Sequence, residues 1–398
     1  MPITVRSFAK INLGLRIGAL RPDGFHDLRT VYQTIALHDF VSVQVSRGTG
    51  IEIRCEDPRV PKDESNTCYR IAEQAMAALK ARGRVLVEIE KRLPVQGGLG
   101  GASSNAVATL LALERQLKKA LAAGERLHIV AEVGSDLPLF LVGGTILGVS
   151  HGEEVYPLPD LPPTPCVVAT PQISVSTPKA FADWDSMQCG AGAPAREDGR
   201  SPTDPGGHDF SRAESWPHGS GASAPEVPTT ELRSARTAGG GRPHASPADT
   251  KERVATPAKL TPSPPSDRML QYGRAVSAWL SGQSQRKAKP GRALSGVPVG
   301  QGRGRAETPL LDLVRTGIEN DFERVVFPQY PELREIKRVL ERAGAFYASL
   351  SGSGSATYGL FASRTAAEKA AARLRNDGIP AVATTTLTRQ QYGKKIFD

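Results

Sequence analysis

The chain has 398 residues, 39% of them hydrophobic and 23% charged, which suits a soluble globular protein of two or three domains with an ample core. No apolar run approaches the roughly 20 residues of a membrane span, and the N-terminus reads as a strand rather than a signal or transit segment, so the cytosol is the expected compartment and no membrane partner is expected. The formal net charge of +9 is local: Arg286, Lys287, Lys289, Arg292, Arg303 and Arg305, in an acid-free stretch, account for six of the nine charges, which argues against a nucleic-acid-binding fold.

Residues 3–18 alternate as two short strands or one bulged strand, with Lys10 and Asn12 among apolar neighbours. Alternation alone permits both to face solvent. Arg21-Pro22-Asp23-Gly24 is a turn, after which Val31–Ile35 is extended. Val41–Val45 and Ile51–Ile53 alternate strictly and read as a hairpin. Asn66 sits where a helix cap belongs, ahead of an alanine-rich amphipathic helix over 69–80. A half-exposed strand over 84–90 leads into a glycine-rich loop and a helix from 103 to about 120. A further helix over 127–133 ends before Asp136, which precedes an apolar run. Strands follow at 145–149 and 166–169, then a strand leading to a short helix near Phe181.

From about 188 to 266 the composition shifts to Gly, Pro, Ser, Ala and Thr, expected to be a disordered or loosely packed insertion. The spacing of Met269, Tyr272, Val276, Trp279 and Leu280 predicts a helix before the basic linker at 284–306. Order resumes at 309–314 and 317–323. A helix over 331–343 then precedes two strands joined by the glycine-rich turn Ser351-Gly352-Ser353-Gly354-Ser355, and a helix (365–377) and strand (381–387) follow. That ending suits a two-layer α+β domain. Four cysteines (Cys55, Cys68, Cys166, Cys189) lack metal spacing and are expected to be reduced thiols.

The most informative stretch is Pro94-Val95-Gln96-Gly97-Gly98-Leu99-Gly100-Gly101-Ala102-Ser103-Ser104-Asn105. Four glycines in five residues free the backbone for close approach to a ligand, and a helix start offers unpaired N–H groups and a positive dipole end, so the stretch predicts a phosphate cradle. It lacks the Lys-Ser/Thr of a Walker loop. The strand before it does not read as the buried parallel strand of a dinucleotide fold. The His-Arg-Asp and Asp-Phe-Gly of protein kinases do not occur.

The pattern Pro-x-x-x-Gly-Leu-Gly-Gly-x-Ser-Ser closely resembles the central motif of the GHMP small-molecule kinases. Ser7–Leu13 resembles that family's first motif and Leu350–Ala356 its third. The resemblance covers about 1–187 and 306–398 and implies an α+β fold: a ribosomal-S5-like N-terminal ATP-binding domain over 1–160 and a ferredoxin-like C-terminal domain over 161–398, interrupted by the insertion and the basic linker. It implies ATP and Mg²⁺ as cofactors and a small-molecule acceptor, in a monomer or weak homodimer. Within the family, Arg21–Leu28 with Gln33, and Gly134–Phe140, are similar to the branch that phosphorylates a cytidine diphosphate-linked methylerythritol.

By that resemblance Lys10 and Asp136 are the catalytic pair. Asp136 serves as base or orienter for the acceptor hydroxyl, and Lys10 offsets γ-phosphate charge. ATP would meet Pro94, Gly97, Gly98, Leu99, Gly100, Gly101, Ser103 and Ser104, with the serines toward phosphate or Mg²⁺, and Asn66 would serve either adenine or the helix cap. Ser351, Gly352, Ser353 and Gly354 would frame the phosphates. His26 would read the cytosine edge, Phe25 and Phe181 would sandwich its ring, and Asn12 would serve the erythritol or diphosphate end. No carboxylate stands out as the Mg²⁺ ligand. Homoserine- or mevalonate-type kinases, and an S5-like nucleic-acid-binding protein, are the rival readings.

Overall fold

The computed structural model describes residues 1–21, 24–189 and 319–397. The expected insertion beyond residue 189, the helix at 269–280, the basic linker and the segment 309–314 lie outside them. Two sheets organise the described chain. The first is built on β1 (Ile3–Leu20) and β2 (His26–Ser46), long strands paired antiparallel with register shifts between Phe8 and Lys10, Asn12 and Gly14, and Ile17 and Leu20. Such bulges re-aim side chains. Here two of them bracket Lys10 and Asn12, which are turned inward and are only 4% and 1% exposed.

The remaining strands of this sheet are β3 (Ile51–Cys55), β4 (Arg84–Glu90), β5 (Thr145–Ser150) and β6 (Glu154–Pro157), in the order β3-β4-β2-β5-β6 with β1 also on β2. The expected hairpin of 41–45 with 51–53 is not formed. β3 pairs in parallel with β4, and β4 separates it from β2. The reason lies in the connection: helix α1 (Thr67–Ala78) carries the chain across, as a parallel pair requires. Helices α2 (Gly101–Leu117), α3 (Ala123–Val133) and α4 (Leu137–Val142) complete this layer, whose core includes Val41, Ile71, Val107, Leu110 and Phe140.

The second sheet contains β7 (Pro165–Ala169), β8 (Tyr347–Leu350), β9 (Thr357–Leu360) and β10 (Ala381–Thr385), all antiparallel, in the order β10-β7-β9-β8. In the chain order of this half that is fourth, first, third, second, the ferredoxin-like arrangement. Its helices are α5 (Thr177–Cys189), α6 (Glu323–Gln329), α7 (Pro331–Arg342) and α8 (Arg364–Asn376). The expected strand at 173 is irregular, and α9 (Arg389–Lys395), absent from the sequence reading, closes the described chain through a Thr388 capping box.

The residue-160 boundary falls in the link between β6 and β7. A continuous apolar cluster crosses there, joining Ile11, Val31 and Leu99 to Val168, Tyr358 and Leu360. Cys55, Cys68 and Cys166 are free and buried, in line with the expected thiols. No helix among the described residues is long and apolar enough to cross a membrane.

Candidate active site

The glycine loop sits where three segments meet. Helix α2 begins at Gly101, two residues earlier than expected, with Gly100 at its N-cap in the left-handed region (φ 70°) and no side chain capping it. The first N–H groups of the helix are therefore left for a ligand, with the positive end of the dipole behind them. Lys91 lies against the same turn, its ammonium 3.3 Å from where a Cβ on Gly101 would stand. It is held by Asp39 at 2.6 Å, and Asp39 also accepts from the Arg92 and Leu93 N–H groups, which fixes the entry to the loop near Pro94. Ser103 is half-buried at the helix start. Ser104 is 2% exposed and its hydroxyl receives that of Ser7 on β1.

The third glycine motif closes onto this loop. Gly98 has φ 73°, and a Cβ there would overlap the Ser351 carbonyl oxygen. Ser351 donates to Gly98 O at 2.9 Å, and Ala356 N–H to Gly97 O at 3.1 Å. The Leu99 carbonyl accepts the Lys10 N–H at 2.9 Å, so β1 is stitched to the same loop. Gly352 approaches the Lys10 and Asn12 side chains: a Cβ there would stand 3.6 Å from Lys10 Nζ and from Asn12 Oδ1. The three motifs thus form one surface through main-chain contacts.

Lys10 Nζ donates to Asn12 Oδ1 at 2.8 Å and stands 3.5 Å from Asp136 Oδ2. Asn12 in turn donates to Thr30 Oγ1, and Thr30 to the Gly14 carbonyl. Asp136 occupies the N-cap position of α4, yet its side chain caps nothing. Its Oδ1 accepts the Tyr32 hydroxyl at 2.9 Å instead. Burial, and the Asp136 carboxylate beside it, push the Tyr32 phenol well above its ordinary range, so it remains a donor. The Asp136 side chain keeps 35% of its surface open whereas Lys10 keeps 5%. The carboxylate is therefore partly open to solvent, and the buried lysine supports it from within.

Elsewhere, His26 Nε2 lies 2.7 Å from Asp185 Oδ1 on α5. Phe181, also on α5, stacks on the His26 ring at 4.9 Å and 12°, while Phe25 is tilted against His151 at 4.8 Å. The two phenylalanines are thus engaged by different partners, and Phe181 has one face on His26. Asn66 caps α1 by accepting from Cys68 N and donates to Pro61 O, so both polar atoms are engaged within the protein. Ser353 shares a 2.7 Å hydrogen bond with Thr177 at the start of α5, and Gly354 makes the loop's second close approach to Gly98.

Three contributors escape the sequence reading. Tyr32 lies there only within an extended segment, and Asp185 is not singled out. Asn320 lies beyond any motif: it donates to Leu350 O and Gly352 O, holding the third glycine loop from below. Its neighbour Asp321 pairs with Arg16 at 2.8 Å, and Glu323 accepts from Leu350 N. A register argument reaches one of them, because Tyr32 is the β2 partner of Asn12. Among the described residues no group of three His, Cys, Asp or Glu side chains could hold a metal ion.

Comparison with known proteins gives matches to both halves. Residues 66–144 match the model of the GHMP kinases N terminal domain, and residues 307–379 that of the GHMP kinases C terminal domain. A relative from Solibacter usitatus, described as 4-diphosphocytidyl-2-C-methyl-D-erythritol kinase, is 32% identical over 373 residues, covering 94% of this chain and 85% of the relative. A crystal structure of 4-(cytidine 5'-diphospho)-2C-methyl-D-erythritol kinase has a TM-score of 0.58 at 24% identity, over 96% of this chain and 99% of that one. Homoserine kinase from Cytophaga hutchinsonii has a TM-score of 0.59 at 17% identity, over 98% and 96%. The fold alone therefore does not separate one acceptor alcohol from another.

Proposed function

This chain belongs to the GHMP kinase family, and from that premise we propose that it transfers the γ-phosphoryl group of ATP to the 2-hydroxyl of 4-diphosphocytidyl-2-C-methyl-D-erythritol, in isoprenoid precursor synthesis. The observation that carries the reading is the pairing of Lys10 with Asp136 beside the uncapped start of α2, with the His26–Phe181 stack at the acceptor end. Phosphoryl transfer needs positioning and charge stabilisation more than covalent chemistry.

In this reading the α2 N-terminus and the Gly97–Gly101 loop cradle the triphosphate, and the Ser351–Gly354 loop covers it. Mg²⁺ would be held largely through the phosphates, with Ser103 at the helix start as the side chain that would meet it. When bound it neutralises phosphate charge. Lys10 offsets charge on the transferred group. Asp136 accepts the acceptor hydroxyl at Oδ2 and orients it for attack, with the Lys10 ammonium 3.5 Å from the same oxygen. Asn12 meets the sugar-alcohol or diphosphate, and Phe25, His26 and Phe181 receive the cytosine by stacking and edge contact.

An ADP-release assay with the cytidyl substrate, homoserine and mevalonate tests the acceptor. Turnover is expected with the first alone, and turnover with homoserine but not the cytidyl compound overturns the reading. Asp136→Asn is expected to lower kcat by at least about a hundredfold while leaving ATP affinity near that of the wild type. Near-normal turnover removes Asp136 from the mechanism.

A further inference from the structure

We propose that Tyr32 is the positioning residue of the acceptor-facing carboxylate: its hydroxyl holds one oxygen of Asp136 so that the other is presented to Lys10 and the acceptor. The inference rests on the reading of Asp136 given above and adds a residue that the catalytic pair does not include. Three independent features of the geometry support it.

First, the two carboxylate oxygens are differentiated. Oδ1 accepts from Tyr32 at 2.9 Å, and Oδ2 faces Lys10 Nζ at 3.5 Å. A carboxylate on a short helix start would otherwise rotate freely about its terminal bond; with one oxygen fixed, the other has one direction left.

Second, the Tyr32 ring is itself immobilised. It is 2% exposed, the Lys10 ammonium lies 5.5 Å from its centroid, and its edge fits against two glycines. A Cβ on Gly148, across the β2–β5 pair, would come within 2.5 Å of Tyr32 Cε2, and one on Gly152 within 2.6 Å of the hydroxyl oxygen. Gly152 is buried at φ 106°, so the turn after β5 closes directly over the hydrogen bond.

Third, the donor cannot be exchanged for an ion under working conditions, because burial and the facing carboxylate keep the phenol protonated. The titratable and charged groups around the pair are Lys10 from β1, Tyr32 from β2, and His151 with Glu153 from the turn after β5. Of these, Tyr32 is the neutral hydrogen-bond donor to Asp136.

The test is Tyr32→Phe, which keeps the ring and deletes the donor. With the acceptor that the wild type turns over, kcat is expected to fall about ten- to a hundredfold, with the KM for ATP within twofold. A donor to the ionised carboxylate favours that form, so its loss makes protonation easier. The acidic limb of the kcat profile should therefore move to higher pH. A purely structural role would lower activity at every pH without moving the limb.

The carbon NMR signal of the Asp136 carboxyl, assigned by Asp136→Asn, gives the same comparison without any acceptor. It should move in Tyr32→Phe, because one carboxylate oxygen loses its donor. Should Tyr32→Phe not fold, Gly152→Ala, whose Cβ displaces the hydroxyl, is expected to move the same signal. An unmoved signal in a folded variant overturns the inference even where the kinase reading stands. Failure of the kinase reading would show instead as absence of cytidyl-substrate turnover in the wild type.

Discussion

Gly98 offers a sharp measure of how closely the two glycine loops must approach. Replacing it by alanine forces a residue with a Cβ into φ 73°, a left-handed conformation costing roughly 1–2 kcal/mol. The same Cβ would overlap Ser351 O and stand 3.0 Å from Gly354 O, so the third loop has to withdraw. Withdrawal stretches the Ser351 Oγ–Gly98 O and Ala356 N–Gly97 O bonds, each contributing about 1 kcal/mol net. The combined loss is about 3–4 kcal/mol, which for a chain of this size lowers Tm by about 4–5 °C. The kinetic effect should be larger in proportion, because a displacement of about 1 Å between phosphate-binding elements costs on the order of a hundredfold in rate. Scanning calorimetry and ADP-release kinetics read the two effects, with Gly124→Ala as the control, since a Cβ at Gly124 meets nothing within 4 Å. A Gly98→Ala enzyme with wild-type Tm and kcat would show that the loops are not in contact as described.

Asp321→Ala should destabilise the protein by about 3–5 kcal/mol in urea denaturation, because Arg16, whose side chain is 9% exposed, loses its closest carboxylate; a loss under 1 kcal/mol would show that Glu319 suffices. The same variant should lower kcat, as Asp321 adjoins the Asn320 that holds the third loop. Burial raises the Cys68 thiol from 9.0 to about 12 and raises Cys166 likewise. Since the raised group is an acid, its thiolate is scarce at every pH below that value, roughly a thousandfold scarcer for Cys68 than for a free thiol at pH 8.5. Iodoacetamide mapping at that pH should leave both unmodified until the protein unfolds, and labelling of either in the native state would contradict the closed core.

The sequence made legible those parts in which local chemistry and tertiary demand coincide. Gly98 and Gly100 announced themselves because close approach and positive φ leave few alternatives to glycine, and Asn66 because a cap is a local hydrogen bond. The strand over 84–90 was visible in its alternation, but its partner was not. A pleated segment carries no mark of whether its neighbour runs parallel, and only the length of the α1 connection bears on that. Lys10 and Asn12 were ambiguous for a similar reason. Alternation left them on either face, but residues 7–17 of β1 are buried on both faces, so no solvent-facing side was available to them. Tyr32 and Asn320 lay beyond reach for opposite reasons. An aromatic residue in a strand has a sufficient explanation as core, and a single asparagine far from the motifs acquires meaning only when the fold sets it under Leu350 and Gly352. β6 was missed because it is largely exposed and has no apolar alternation to display.

The turn formed by His151, Gly152 and Glu153 touches both Phe25 and the Tyr32–Asp136 pair. His151 packs on Phe25, whereas Gly152 rests over the Tyr32–Asp136 hydrogen bond. In the proposed function, binding of the base at Phe25 and alignment of the acceptor hydroxyl at Asp136 would share this turn as a support and so would be coupled. Changes at Phe25 and at Tyr32 should then combine non-additively in a double-mutant cycle. A truncated acceptor that lacks the base should lose turnover as well as affinity, since in the proposed function the part of the acceptor remote from the transferred phosphoryl group helps set the carboxylate that orients the attacking hydroxyl.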